Sequence, residues 1–247
     1  MIKIIALFTM LIDHIGAVFF PGQLMYRYVG RIAMPLFAYC IARGFYYTRN
    51  KNKYMGLILL FAFISQVPYR FMLQAVGASN LSTLNILFTW FLALMLIRGI
   101  EGVRTMNPFI TVALIIIPLA FPFLTRVEYG IYGVLTPLVF YIPLFYGKER
   151  KYNAEIQEAD APDTERKPPV VHSLKDYIVV TIALSVLMAV YISSMNRIIY
   201  WQLIAVLAVP FIPLFFNVDR KVPLPKIFAY LFYPGHIAIL VLINHFF

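Results

Sequence analysis

Charged residues are scarce in this chain, and their scarcity excludes an ordinary soluble domain. Only 13% of the 247 residues are charged and 62% are hydrophobic, whereas a soluble domain carries about 25% charge. Apolar runs recur from end to end, and they do not alternate as the strands of a transmembrane barrel do. The sequence therefore predicts an all-α fold, a polytopic bundle of transmembrane helices that forms a single domain over residues 1–247 and has the lipid bilayer as its partner.

Cysteine and clustered histidine are also nearly missing. With one cysteine, Cys40, no intrachain disulfide is possible. The four histidines are scattered, without the spacing of metal ligands, so we expect no metal site. No glycine-rich loop precedes a helix to hold phosphates, and G-x-S-x-G does not occur. Nucleotide hydrolysis and serine hydrolysis are therefore unsupported.

Basic residues exceed acidic ones, giving a net charge of +10, but their distribution argues against nucleic acid as a partner. They fall in short loops beside apolar runs and form no basic face interleaved with aromatic residues. With nine spans, sixteen of the 21 basic residues lie on the side of the N-terminus, which predicts that side to be cytoplasmic and the C-terminus to be outside. The predicted spans are 3–20, 28–47, 54–76, 81–99, 108–125, 129–146, 176–194, 199–216 and 226–246.

The stretch 148–175 differs from the rest of the sequence because it is dense in charge and poor in aromatic residues. It holds six of the eleven acidic residues. Such a composition cannot bury enough apolar surface to fold, so we interpret it as a disordered cytoplasmic loop that interrupts the membrane domain. No chemistry is assigned to it.

Polar side chains on five of the predicted spans fall within one layer, from the middle of the membrane toward its outer face. At 1.5 Å per residue, the polar residues of the first, third and ninth spans lie about 15 to 18 Å from the cytoplasmic edge, and those of the second and fourth spans lie about 6 Å inside the outer edge. A charged side chain at mid-membrane costs about 2.5–3.5 kcal/mol, and such groups usually face a bundle interior and mark a functional site. The layer contains Asp13 and His14 on the first span, Arg31 on the second, Gln66 on the third, Asn85 on the fourth and His236 on the ninth.

Each of these residues also has a structural interpretation. Gln66 and Asn85 suit hydrogen bonds between helices, a lone His236 suits packing, and Arg31 is able to reach the outer headgroups. The basic group near Arg43 (Arg43, Arg49, Lys51 and Lys53) is explained by topology alone. An adjacent acid and imidazole at mid-depth, Asp13 and His14, are costly and are not needed for packing. On a helix they point about 100° apart, so they can serve different partners.

A buried imidazole near a carboxylate and a guanidinium fits two kinds of chemistry. The imidazole can take a proton from an amine or hydroxyl that attacks an acyl carbon, while the guanidinium stabilises the oxyanion. The same groups also suit a proton relay in a transporter or flippase, and a scaffold without catalysis is a third alternative. Composition and depth do not separate these readings.

Several motifs resemble those of the TraX family of membrane proteins. They are D-H-I-G, G-R-x-x-x-P-L-F, R-G-F-x-x-T-R-N, N-x-x-F-T and F-Y-P-x-H, which begin at residues 13, 30, 43, 85 and 232. The resemblance extends over nearly the whole chain apart from 148–175. Family motif positions are Asp13, His14, Gly30, Arg31, Pro35, Phe37, Arg43, Gly44, Asn85 and His236.

The resemblance implies a bacterial protein of the cytoplasmic (inner) membrane that crosses it several times. The family's namesake is a conjugation protein that N-acetylates pilin, and the family resembles acyltransferases that carry acetyl groups from cytoplasmic acetyl-CoA to acceptors on the far side. The expectation is therefore transfer of acetyl from acetyl-CoA to an outer amine or hydroxyl, on a peptide or glycan. His14, Asp13 and Arg31 are the expected catalytic residues, and Asn85, His236, Gln66 and Arg43 the expected substrate-binding residues. A homo-oligomer is left open.

Overall fold

The computed structural model describes residues 2–146, 173–193, 200–209 and 226–246. Within these ranges the fold is helical, and the one β-type contact is an isolated bridge between Leu84 and Val127. The α-helices are α1 (Ile2–Phe19), α2 (Leu24–Gly30), α3 (Ala33–Tyr47), α4 (Lys51–Ala75), α5 (Ile86–Gly102), α6 (Pro108–Leu124), α7 (Gly130–Tyr141), α8 (Leu174–Ser193) and α9 (Lys226–Phe246). A π-helical turn, Ile142–Tyr146, extends α7.

Four of the helices are long and apolar enough to cross a membrane. They are Ile2–Phe19, Lys51–Ala75, Leu174–Ser193 and Ile227–Phe246, and two shorter apolar helices are Pro108–Leu124 and Gly130–Tyr146. Many large apolar side chains on these helices are exposed, for example Phe63 and Phe109. An apolar outer surface is what helices need when lipid surrounds them. The protein is therefore a helical membrane protein.

Two of the predicted spans differ from the helices observed. The predicted span 28–47 is divided between α2 and α3 at Arg31 and Ile32, both of which keep helical backbone angles. The reason is Pro35, which has no N–H to donate to the carbonyl of Arg31, so the helix kinks there. The predicted span 81–99 begins only at Ile86, because the side chain of Asn85 caps the helix by accepting from the backbone N–H of Leu87 at 3.0 Å.

Two other predicted segments lie largely outside the described residues. The predicted disordered loop 148–175 is described only at 173–175, where α8 begins at Leu174. Of the predicted span 199–216, only 200–209 is described, and there Tyr200–Leu207 forms a 3₁₀-helix. That segment is therefore wound more tightly than the α-helix expected.

The helices α1, α3, α5 and α9 enclose the region in which the polar side chains meet. Helix α1 packs against α2, α3 and α9, while α5 packs against α4, α6 and α7. Glycines allow α1 and α2 to approach closely, since a Cβ on Gly30 would lie 2.1 Å from Asp13 Oδ1 and one on Gly16 would lie 2.1 Å from Tyr26 Cβ. Small residues at a helix contact are the usual means of close packing in membranes.

Candidate active site

A small cavity lies where α1, the α2–α3 kink, α5, the loop before α7 and α9 meet. Its volume is about 40 Å³, which accommodates about three water molecules or a small acyl group. Apolar and aromatic residues make most of the wall, and several polar side chains interrupt it. The wall consists of Met10, Asp13, His14, Gly30, Ala33, Met34, Phe37, Ile86, Trp90, Glu128, Tyr129 and Tyr233.

Two buried imidazoles contact each other beside this cavity. His14 Nδ1 lies 2.7 Å from His236 Nε2, and the rings are parallel within 4°. The two residues are only 8% and 6% exposed. His236 Nδ1 lies 2.6 Å from the carbonyl oxygen of Phe232, one turn earlier on α9. The structure thus brings together two histidines that are 222 positions apart in the sequence.

The carbonyl of Phe232 fixes which nitrogens of the neutral pair carry protons. A carbonyl oxygen only accepts, so His236 Nδ1 donates to it, and His236 Nε2 must then be an acceptor. His14 Nδ1 therefore donates to His236 Nε2, which leaves the lone pair of His14 on Nε2. Because His14 lies in the cavity wall, this arrangement supplies an oriented base at the cavity.

Asp13 faces a different side of α1 from His14 and contacts two arginines. Its Oδ1 lies 3.1 Å from Arg27 Nη1 and 3.9 Å from Arg31 Nη2. The expected juxtaposition of the carboxylate with Arg31 is therefore present, and Arg27, which was not expected, makes the shorter contact. A buried carboxylate is tolerable when it is paired in this way. The ion pairs connect α1 to α2 and to the start of α3.

Glu128 is a wall residue that the sequence interpretation missed. Its loop is held against the segment before α5, because the Glu128 N–H donates to Leu84 O at 2.9 Å and Thr89 Oγ1 donates to Glu128 O at 2.8 Å. The residue as a whole keeps some exposed surface, but Oε2 is buried and has no hydrogen-bond partner among the described residues. Burial, followed by the charge of Asp13, raises the pKa of Glu128 to about 7 from 4.5.

A signal for Glu128 was available in the sequence. It is the one acidic residue in any of the loops that the nine-span topology places outside. Polar residues within the predicted spans were expected in the site, whereas this loop position was not. The neighbouring Tyr129 has a left-handed backbone, with φ of 61°, which is uncommon for a residue with a side chain and is found at functional sites more often than elsewhere.

Two further polar groups of the wall are the indole N–H of Trp90 and the hydroxyl of Tyr233. The indole N–H is buried without an acceptor in the described part of the chain, whereas the buried hydroxyl makes a distorted hydrogen bond with the backbone of Ile86. The ring of Phe37 packs against that of Trp90, with centroids 5.5 Å apart. Buried polar groups are nearly always satisfied, so Trp90 Nε1 and Glu128 Oε2 are two points of this wall at which a bound group would complete the hydrogen bonding.

Gln66 and Asn85 were expected to line the pocket but are not part of its wall. Asn85 Nδ2 donates to Ala62 O and to Gln66 Oε1, both at 2.8 Å. Gln66 Oε1 also accepts from the Asn85 N–H at 3.0 Å, and Gln66 Nε2 donates to Thr83 O at 3.0 Å. With the cap on α5, these bonds join α4 to α5. We call Gln66 and Asn85 the amide latch, and its role is structural.

Arg43 is not part of the cavity wall. It is six residues beyond the wall residue Phe37 on α3, which is about 9 Å along a helix, and its guanidinium lies over the ring of Tyr47 at 5.7 Å. At the same end of the molecule Lys51 Nζ is 2.8 Å from both carboxylate oxygens of Glu101. This end therefore contains basic residues, with Lys51 already paired.

Metal ligands do not gather anywhere in the described ranges. No group of three or more His, Cys, Asp or Glu side chains there is placed to hold a metal ion. The chemistry that the cavity offers is proton transfer by His14, with carboxyl, indole and phenol groups around it.

Comparison with known proteins identifies a family and a similar protein. The family model described as TraX protein matches residues 1–159. A similar protein is the probable fimbrial assembly protein FimC, serogroup H1, of Dichelobacter nodosus, which is 35% identical over 161 residues. That alignment covers 61% of this chain and 63% of the relative. No solved structure matches the chain.

The matched region contains every wall residue except Tyr233, and it does not reach His236. The family model thus covers less of the chain than the motif resemblance did, because the motif F-Y-P-x-H lies beyond residue 159. His14 lies in the matched part, whereas its hydrogen-bonding partner His236, on α9, lies outside it.

Proposed function

Because this chain belongs to the TraX family, we propose that it is a membrane acetyltransferase that moves an acetyl group from acetyl-CoA to an amine or hydroxyl acceptor. The observation that supports this most is the histidine pair: a buried imidazole, oriented through a second imidazole and a backbone carbonyl, beside a cavity of acetyl size. A base that is oriented by another group is the arrangement that activates nucleophiles in acyl transfer.

The reaction follows from the position of the His14 lone pair. The acceptor's N–H or O–H gives its proton to His14 Nε2 while the nitrogen or oxygen attacks the acetyl carbon. The new bond forms, the carbon–sulfur bond breaks, and the proton passes from His14 to the departing thiolate of CoA. His236 stabilises the imidazolium of His14 by accepting from Nδ1–H at 2.7 Å.

In this proposal Asp13 and Arg31 fix the shape of the cavity and do not take part in the reaction. The ion pair with Arg31 and Arg27 holds α1 against the kink between α2 and α3, so that Gly30 and His14 face the same space. Asp13 is thereby a positioning residue in this proposal. Glu128, whose Oε2 has no hydrogen-bond partner among the described residues, receives a hydrogen bond from the second N–H of an amine acceptor. A hydroxyl acceptor has one proton, which goes to His14.

The basic end of the molecule near Arg43 fits the donor. CoA carries phosphates, and Arg43, Arg49 and Lys53 present positive charge to them. This assignment requires the nine-span topology with the N-terminus in the cytoplasm, in the bacterial inner membrane. Cysteines placed singly at Asn52 and at Gly22 test it in whole cells: an impermeant thiol reagent labels only the second if the proposed orientation is right.

The acceptor class follows from the relatives. A similar protein carries the name of a fimbrial assembly protein, and acetylation of pilin is what the family's namesake is known for. We therefore propose the amino terminus of a pilus subunit as the first acceptor to test, with a glycan hydroxyl as the second.

A second candidate function is a proton-coupled carrier. The hydrogen-bonded histidine pair and the buried carboxyls of Asp13 and Glu128 also form a chain of titratable groups in a membrane protein. Such a carrier would move substrate into vesicles in response to a proton gradient and would leave acetyl-CoA intact.

One assay separates the two functions. Purified protein in vesicles is given acetyl-CoA labelled in the acetyl group and a peptide that begins with a pilin amino terminus. We expect label on the peptide, no label when His14 is replaced by asparagine, and undiminished label with His245→Ala, which alters an exposed histidine near the end of α9. Proton-driven uptake of the peptide without labelling would overturn the acetyltransferase proposal.

A further inference from the structure

Trp90 presents a hydrogen-bond donor that none of the described residues accepts. The residue is 5% exposed, it belongs to the cavity wall, and its indole N–H has no acceptor among the described residues. An indole nitrogen can only donate. Whatever satisfies it must therefore bring an oxygen or another acceptor atom into this region.

The position of the indole is fixed from two sides. The ring of Phe37 packs against it, tilted by 39°. Trp90 also follows closely after Asn85, whose cap fixes the first turn of α5. A donor that is held in place before substrate arrives needs no reorganisation during reaction.

The wall around Trp90 strengthens any bond that its N–H makes. Met10, Met34, Phe37 and Ile86 contribute apolar surface to the same cavity. A hydrogen bond in such a medium of low dielectric is electrostatically stronger than one in water. A donor in this setting is best used where negative charge develops on an oxygen.

We propose that Trp90 Nε1–H donates to the carbonyl oxygen of the acetyl group and stabilises the oxyanion formed when the acceptor attacks. The inference rests on the proposed acetyltransferase function. It makes Trp90 a catalytic residue and gives it the role that the sequence suggested for Arg31. Arg31 is not in the wall, and its guanidinium is directed to Asp13 at 3.9 Å.

Charges and atoms balance around this donor. As the acceptor nitrogen or oxygen bonds to the acetyl carbon, the carbonyl electrons move onto the oxygen that faces Trp90. They return when the carbon–sulfur bond breaks and CoA leaves as a thiol, having received from His14 the proton that the acceptor lost. The indole keeps its own proton throughout.

The test replaces the tryptophan by a residue of the same shape that lacks the donor. Benzothienylalanine at position 90, introduced through a nonsense codon, has sulfur in place of N–H. We expect kcat for acetyl transfer to fall about 10²-fold while KM for acetyl-CoA stays within about two-fold, since the bond strengthens in the transition state. Unchanged kcat, or a rise in KM alone, would overturn the inference.

A matched control and a second measurement keep the test independent of folding and turnover. Tyr132→Phe removes another buried hydroxyl, but one outside the wall, and we expect it to keep wild-type kcat. In the infrared spectrum of bound acetyl-CoA with ¹³C in its carbonyl, we expect the carbonyl band at lower frequency in wild type than in the position-90 analogue. If the carbonyl band has the same frequency in wild type and in the analogue, the inference about Trp90 is wrong even when acetyl transfer occurs. If the band differs between them but wild type transfers no acetyl group, the proposed function alone is refuted.

Discussion

Two polar clusters inside the same bundle differ in how completely their buried atoms are hydrogen-bonded. In the amide latch every side-chain donor and acceptor of Asn85 is used, at 2.8 to 3.0 Å. In the cavity wall Trp90 and Glu128 each carry a buried atom with no hydrogen-bond partner among the described residues. Since an unsatisfied buried polar atom costs about 1–3 kcal/mol, only the second cluster gains from a ligand. Whether its buried polar atoms are hydrogen-bonded therefore distinguishes a structural residue from a functional one better than the residue type does.

The largest expected effect is on catalysis by the oriented base. His14→Asn keeps a polar side chain of similar size at the cavity but removes the basic Nε2. We expect acetyl transfer to fall about 10³-fold, within the usual range for loss of a general base. Single-turnover kinetics with labelled acetyl-CoA measure this. A variant that retains a tenth of the wild-type rate would show that the histidine pair serves packing, as the amide latch does.

The next effect is a pH dependence that only the cavity cluster should show. The folded protein raises the pKa of Glu128 to about 7 from 4.5, so the folded state holds the proton more tightly than the unfolded chain does. The contribution to stability is therefore full below pH 4.5, falls by about 1.4 kcal/mol per pH unit up to pH 7, and is then constant.

Replacement of that carboxyl isolates its contribution. In Glu128→Gln the unfolding free energy should not decrease in this way between pH 4.5 and pH 7. The difference in unfolding free energy between wild type and variant therefore changes by about 3 kcal/mol over that interval. Unfolding in detergent micelles at a series of pH values measures it. A difference that does not vary with pH would mean that the carboxyl of Glu128 is solvated like a surface group.

A smaller effect is expected at the partner of the base. His236→Phe keeps an aromatic ring beside His14 but removes the nitrogen that accepts from Nδ1. We expect kcat to fall about 10²-fold because the tautomer and orientation of His14 are no longer fixed. His236→Gln retains an acceptor and should recover part of the rate. Equal rates for the two variants would contradict the tautomer assignment.

The smallest effect concerns the amide latch. Asn85→Ala removes the cap of α5 and the bonds to Ala62 and Gln66, so we expect a loss of about 2 kcal/mol in unfolding free energy. The kcat of the protein that remains folded should be unchanged within two-fold. Asn80→Ala is the control, because Asn80 caps only an exposed turn at Ser82. If Asn85→Ala lowered kcat as strongly as stability, the two clusters would not be separable.

The sequence was sufficient to place the polar residues of the first span in the site. Asp13 and His14 were predicted from the cost of burying them in lipid, and the angle of about 100° between their side chains follows from helix geometry. The family and the helical fold were also readable, and both are confirmed. The catalytic and substrate-binding roles of the individual residues stay predictions.

The features of the candidate site that could not be predicted from the sequence depend on contacts between distant segments of the chain. Depth alone could not distinguish Asn85 from His236, because satisfaction by Gln66 and Ala62 appears only in three dimensions. Glu128 was missed since it lies in a loop that folds inward through its pairing with Leu84. Trp90 was missed because a tryptophan in an apolar span ordinarily serves packing. It is distinguished by the absence of an acceptor for its N–H among residues 2–146, 173–193, 200–209 and 226–246.

The most direct test of the central claim is a structure with a stable analogue of acetyl-CoA in which oxygen replaces the sulfur. The claim is that the unsatisfied atoms mark the reacting centre. It predicts the acetyl oxygen at about 2.7–3.1 Å from Trp90 Nε1, with the acetyl carbon facing His14 Nε2. An acetyl group found anywhere else, with the cavity containing water alone, would contradict the account.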